Sequence, residues 1–250
     1  MNGDLTCEKR TAIMIKKCGR ILPPLLFVAM LLGCMALSVY FLLSGKDWID
    51  SDAGPSLHTL VIDPGHGGID GGAVAGDGTK ESDLNLSISL KLHCLSELLG
   101  QPVCMTRSDD SSRTDYESYS EHEDLVFRTE TVNDLPGAIL ISIHQNCFPT
   151  GQPSGSQVLY AVGPESELLG KLMHENLIRN LDPQNRRVAE PAPKNLYITS
   201  HVNCPAVLVE CGFMSNVFDV QKLKTDSYQC AVAAILAASL LQYLNSEQEI

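Results

Sequence analysis

Positive charge is scarce in this sequence. Its 250 residues hold 18 Lys+Arg against 30 Asp+Glu, a formal net charge of -12. The imbalance sharpens away from the start. Residues 1–20 carry Lys9, Arg10, Lys16, Lys17 and Arg20 against Asp4 and Glu8, so the rest of the chain carries -15. A domain that acidic repels phosphate backbones, which excludes nucleic acid as a partner. No C-x-x-C pair occurs among the 9 cysteines. Six of them, Cys94, Cys104, Cys147, Cys204, Cys211 and Cys230, follow the longest apolar run, and their spacing dictates no disulfide framework. There is no G-x-S-x-G elbow and no Cys–His signature ahead of a helix, which argues against a serine or cysteine nucleophile. Internal repeats and low-complexity stretches are absent too.

What is present begins with an uncharged segment, ILPPLLFVAMLLGCMALSVYFLL, at residues 21–43. As a helix it is long enough to span the roughly 30 Å hydrocarbon core of a bilayer. Its prolines, Pro23 and Pro24, lie near the start, where a helix tolerates them. The five preceding bases predict that residues 1–20 form a cytoplasmic tail and that the chain beyond Lys46 faces outward. The run exceeds a usual signal-peptide core of ~7–15 residues and no A-x-A site follows, so an uncleaved single-pass anchor is expected. Residues 44–56 are polar and turn-rich and read as a linker. Residues 57–245 remain for one folded domain.

In that domain, short β-rich runs alternate with helical ones. Strands are expected at 57–63, 102–106, 138–144, 157–162 and 206–210, and helices at 83–99, 123–134, 166–181 and 228–244. This order predicts an α/β fold: a mostly parallel central sheet with helices on both faces, preceded by one transmembrane helix. Sites in such sheets lie at the carboxyl ends of the strands. Four residues fall there or just beyond: His66 in a Gly-rich turn, Glu81 at the next helix start, His144 and Glu210 closing strands. Hydrolytic zinc sites commonly take two His and one carboxylate and leave a position for water, with a further carboxylate to move the proton. Each residue also has a plainer reading. His66 can serve the turn by hydrogen bonding, Glu81 can favour a helix N-terminus, and His144 can be a satisfied core histidine. Glu210 directly after AVLV is harder to explain that way, because a buried carboxylate needs a partner or a metal.

Four stretches carry a resemblance. They are VIDPGHGGIDGGA from Val61, KESDLNL from Lys80, ISIHQN from Ile141 and PAVLVECGFMSN from Pro205, with Arg128 and Asn133 in an R-x-x-x-x-N spacing and the pair Asn185–Arg186. In this order, residues 60–214 resemble the catalytic domain of the zinc-dependent N-acetylmuramoyl-L-alanine amidases. The resemblance implies zinc held by His66, Glu81 and His144, with Glu210 as the catalytic carboxylate. The reaction it implies is cleavage of peptidoglycan between N-acetylmuramic acid and L-alanine of the stem peptide. Asn146 and Arg186 become substrate-binding candidates, and Asp63 a candidate to orient a histidine ring. Ser215 and Asn216 are expected to shape the turn after Glu210. An anchor plus a bare catalytic domain is similar in plan to the sporulation and germination members, which places the enzyme at the outer side of the membrane and admits an activator protein; general wall turnover is the alternative. A zinc carboxypeptidase on the stem peptide and a non-catalytic wall-binding protein are the rival functions. Gln145 and Cys211 depart from the family pattern, so substrate fit and thiol ligation near the metal are in question. The acidic loop 108–123 is expected to be simply solvated.

Overall fold

The computed structural model describes residues 58–112 and 119–247. The cytoplasmic tail, anchor and linker expected at 1–56 lie outside them. In chain order the elements are β1 (Thr59–Pro64), α1 (Glu81–Leu98), β2 (Val103–Met105), α2 (Glu121–Asn133), β3 (Ala138–Asn146), β4 (Gln157–Tyr160), α3 (Pro164–Leu181), β5 (Glu190–Pro191), α4 (Tyr197–His201), β6 (Ala206–Phe213), α5 (Val217–Leu223) and α6 (Asp226–Glu247).

The strands form one sheet in the order β2-β1-β3-β6-β4-β5. The expected parallel pairing holds from β2 through β6, but the sheet is mixed, because β4 runs antiparallel to β6. The reason lies in the connection. Residues 147–156 between β3 and β4 contain no helix, and a parallel neighbour needs a crossover of a dozen or more residues. The chain therefore comes back down, and β4 and β5 run against the rest. The edge strands are short, three residues in β2 and two in β5, which ends on Pro191.

Alternation along the strands assigns the two faces. Leu60, Ile62, Ile139, Ile141, Ile143, Val207, Val209 and Cys211 point into the larger core, filled from α1, α3 and α6. Val61, Leu140 and Ala206 point the other way, into a smaller cluster with Val132 of α2 and Ile198 of α4. The α1 spacing Leu84–Ile88–Leu92 explains its docking, since residues four apart share one face. Burying those three side chains contributes several kcal/mol, at ~1.5–3 kcal/mol each. The α6 helix is long and apolar enough to cross a membrane by composition. Yet Val232, Ala233, Leu236, Ala237, Leu240 and Tyr243 put its apolar side in the core, where it meets α1 and α3.

Among the described residues, two helices escape the periodicity reading, α4 and α5, being five and seven residues long. The second is started by Asn216, whose side chain accepts hydrogen bonds from the amides of Phe218 and Asp219. This is the turn-shaping role expected of it.

Candidate metal centre

The same alternation builds the site. On β3, Ser142 and His144 share the face of Leu140; on β6, Glu210 shares the face of Leu208. Parallel pairing sets His144 directly beside Glu210. Both face the sparsely covered side of the sheet, where a cleft of about 290 Å³ opens at the carboxyl ends of β1, β3 and β6.

His66 enters from the turn after β1. Its backbone has φ 61°, a left-handed conformation that costs a non-glycine residue ~1–3 kcal/mol. Side-chain donors hold the turn in place. Pro64 O accepts from Arg107 Nε (2.9 Å) and Arg128 Nη1 (2.8 Å), Gly65 O from Asn85 Nδ2 (3.1 Å) and Arg107 Nη2 (3.0 Å), and His66 O from Arg128 Nη2 (2.7 Å). Gly65 is required by proximity: a Cβ there would stand 2.2 Å from atoms of the His144 ring. Gly72 (φ 63°) is required twice over, since a Cβ would also lie 2.7 Å from both Glu81 Oε2 and His66 Cδ2.

Glu81 is the first residue of α1. The opening amides of that helix find partners in the glycine turn, Glu81 N donating to Ala73 O and Ser82 N to Gly71 O. The helix end is thereby fastened to the loop that carries His66. Glu81 Oε2 accepts from Ala73 N (2.9 Å), which leaves Oε1 facing both histidines, 3.3 Å from His66 Nε2 and 3.1 Å from His144 Nδ1.

His66, Glu81 and His144 each offer one ligand atom, all within 4.8 Å of one another. A tetrahedral zinc with bonds of ~2.0–2.1 Å has ligands ~3.4 Å apart, close to the two shorter separations, and two nitrogens with one carboxylate oxygen form a usual zinc set. The residues fit the ion. The cluster also attracts positive charge. Burial alone would lower the pKa of His66, but its hydrogen bonds to the Asp70 and Glu81 carboxylates outweigh it and raise it to about 10. For Glu81, burial opposes ionisation, and the two histidines overcome it and hold the carboxyl well below its usual range.

Glu210 has the opposite surroundings. Its Oε2 is buried with no hydrogen-bond partner, and burial pushes its pKa up to about 7, His144 only partly offsetting it. Two carboxylates at one site are thus driven apart, one kept ionised and one poised to exchange a proton near neutrality.

The aspartate that orients a histidine is Asp70, not Asp63. Asp70 Oδ2 lies 2.7 Å from His66 Nδ1. Asp63 points from β1 toward Arg128 and accepts from Thr106 Oγ1 (2.6 Å), Arg128 Nη1 (2.8 Å) and Ser142 Oγ (2.7 Å). Burial would raise its pKa, but Arg128 and the two hydroxyls lower it to about 2. The spacing of four residues between His66 and Asp70 was the available signal.

Asn146 lines the cleft, as does Tyr197 of α4. Arg186 is exposed and outside the cleft lining, while Asn185 is buried and clamps the loop by donating to Ser156 O (2.8 Å). The next residue, Arg187, reaches inward, donating to Gln157 Oε1 (2.8 Å) with its guanidinium 4.4 Å from the Phe213 ring centre. Asn133 staples α2 to the end of α4 and the turn beyond it, donating to His201 O and accepting from Asn203 N. The departures from the family pattern prove internal. The Gln145 side chain is buried and donates to Asn85 Oδ1, and Cys211 lies on the opposite face of the sheet from Glu210, its pKa raised by burial. All six described cysteines are free thiols; of them, Cys147 lines the cleft. The described parts of the acidic loop are largely solvated, as expected: Ser108, Asp109, Asp110 and Ser111 are exposed, while Gly68 N donates to Asp110 Oδ1 (3.0 Å) and, near the loop's far end, Tyr119 Oη reaches Asp70 Oδ2 (3.4 Å).

Residues 60–242 match the N-acetylmuramoyl-L-alanine amidase family. Over 193 residues the chain is 32% identical to the germination-specific N-acetylmuramoyl-L-alanine amidase of Bacillus subtilis, covering 75% of this chain and 80% of that one. It is 29% identical to the amidase LytC of the same organism over 74% of this chain, a match that spans only 35% of LytC. Among solved structures it is similar to the CwlD amidase from Clostridioides difficile in complex with the GerS lipoprotein, with a TM-score of 0.71 and 35% identity over 75% of this chain and 98% of that one. On the family match over residues 60–242 and the identity to the germination-specific amidase, the chain belongs to the N-acetylmuramoyl-L-alanine amidase family.

Proposed function

We propose that this protein hydrolyses the amide bond between N-acetylmuramic acid and L-alanine of the peptidoglycan stem peptide, with zinc held by His66, Glu81 and His144. One observation carries the reading: a three-ligand cluster stands beside a carboxyl whose buried Oε2 has no partner. Bound zinc would supply a water acidic enough to ionise near neutral pH and a Lewis acid for the scissile carbonyl. Glu210 takes the proton from the attacking water and returns it to the departing alanine nitrogen, for which a pKa of about 7 is well placed. Asp70 keeps the His66 proton on Nδ1, so that Nε2 would be left to hold the metal. Asn146, at the end of β3, is the substrate contact we favour; Arg186 is left out of the set because it is exposed away from the cleft.

We read residues 21–43 as the anchor that holds this domain on the outer side of the cytoplasmic membrane. The germination-specific and sporulation-specific names of two relatives support a role in germination or sporulation, and the lipoprotein bound to the CwlD amidase supports a partner that assists activity here. The test is mass analysis of peptidoglycan digested by the protein with zinc and after chelation. Stem peptides with a free L-alanine amine, formed only with metal, are the expected products. Release of a C-terminal amino acid instead would install the carboxypeptidase reading, and intact peptidoglycan in both arms the non-catalytic one.

A further inference from the structure

A second buried cation near the centre is not used by this chemistry. Arg107 follows β2, is 7% exposed, and bonds through its guanidinium to backbone carbonyls alone among the described residues. Nε donates to Pro64 O (2.9 Å), Nη2 to Gly65 O and Ser82 O (3.0 Å each), and Nη1 to Asp109 O (2.9 Å). Guanidinium groups normally meet carboxylates, and burying one against neutral acceptors is costly. What those carbonyls have in common is position. Pro64 and Gly65 immediately precede His66, and Ser82 immediately follows Glu81. Gly65 is also the floor on which the His144 ring rests. Arg128 grips the same turn but is paired with Asp63 and Asp124 and makes no bond to α1.

We propose that Arg107 is a positioning residue of the metal centre: by tying the carbonyls of Pro64 and Gly65 to that of Ser82, it sets the spacing of His66 and Glu81 and hence the affinity for zinc. The inference rests on the metal reading above. A planar fork with several fixed donors can span the gap between turn and helix, whereas an ammonium satisfies fewer of these acceptors at once.

The experiment uses the full chain in detergent as wild type, Arg107→Lys, Arg107→Gln and Leu177→Ala. Leu177 is a fully buried α3 residue in the large core and serves as the control for lost stability. Zinc dissociation constants come from competition with a chromophoric chelator, and thermal unfolding of the metal-free proteins is followed in parallel. Arg107→Gln should weaken zinc binding about 10–100-fold, the range for lost support around a metal ligand. Arg107→Lys should fall between it and wild type, and Leu177→Ala should melt earlier yet bind as wild type does. Equal affinity in all four proteins would overturn the proposal while sparing the metal site. So would an affinity loss in both Arg107 variants no greater than that of Leu177→Ala at a matched loss of thermal midpoint. A wild-type chain that takes up no zinc would overturn the metal site itself, and this inference with it.

Discussion

Glu210→Gln should remove activity and, above neutral pH, make the metal-free protein more stable. Glu210 ionises in the unfolded chain near its ordinary 4.5 but in the folded protein only near 7, because burial disfavours the charge. Between those values the folded state binds more protons than the unfolded one, so stability falls as pH rises through the window. The full shift corresponds to about 3 kcal/mol. Water at the cleft mouth screens part of that, leaving about 1–3 kcal/mol. Glutamine keeps the shape without the charge, at about 1–2 kcal/mol for an amide left partly unbonded. Relative to wild type, the variant should be equal or weaker at pH 5 and should gain steadily until pH 8. Urea melts in the presence of chelator, taken at half-unit pH steps, read this directly. Hydrolysis of peptidoglycan should drop by about 10²–10⁴-fold while zinc is retained. A flat stability difference between pH 5 and 8 would refute the buried, unpartnered description of this carboxyl. Retained hydrolysis would refute its role.

Three further outcomes follow from the same geometry. Gly65→Ala forces its new methyl 2.2 Å from the His144 ring; metal sites tolerate ligand errors of only ~0.2 Å, so zinc uptake measured by equilibrium dialysis should fall at least ~10-fold while circular dichroism is preserved. Arg128→Met leaves Asp63 buried without its cation, and chemical denaturation near neutral pH should show a loss of about 3–5 kcal/mol. That loss should shrink as pH drops toward 2, since the Asp63 pKa, lowered to about 2 in the wild type, contributes stability that vanishes below it. Asp70→Asn should cost about 10–100-fold in zinc affinity by isothermal titration, because an amide nitrogen can face His66 where an acceptor is needed.

Much of the site was legible because its residues sit at places that local patterning marks. His144 and Glu210 each close a run of buried β-branched and aliphatic residues, and alternation along those runs puts both on one face. Glu81 was recognisable as a helix start, although the helix begins two residues before the periodicity does, since Glu81 and Ser82 are held by the glycine turn and not by apolar spacing. What stayed hidden depends on long-range contacts. The choice between Asp63 and Asp70 is decided by Arg128, which arrives from α2, 65 positions away. Arg107 lies after a three-residue strand and has no periodic or motif signal of its own. The reversal of β4 follows from a connection whose length is visible but whose route is not. The α4 and α5 helices are too short for a 3.6-residue pattern to be read.

The sheet ends in a three-residue strand on one side and in Glu190–Pro191 on the other. A strand that short offers an incoming chain few free backbone groups, and proline withholds one donor altogether. Neither border can serve as a template for another molecule's strand. The domain can therefore be held at high local concentration on a surface without its copies knitting together through their sheets, and the net negative charge it carries works in the same direction.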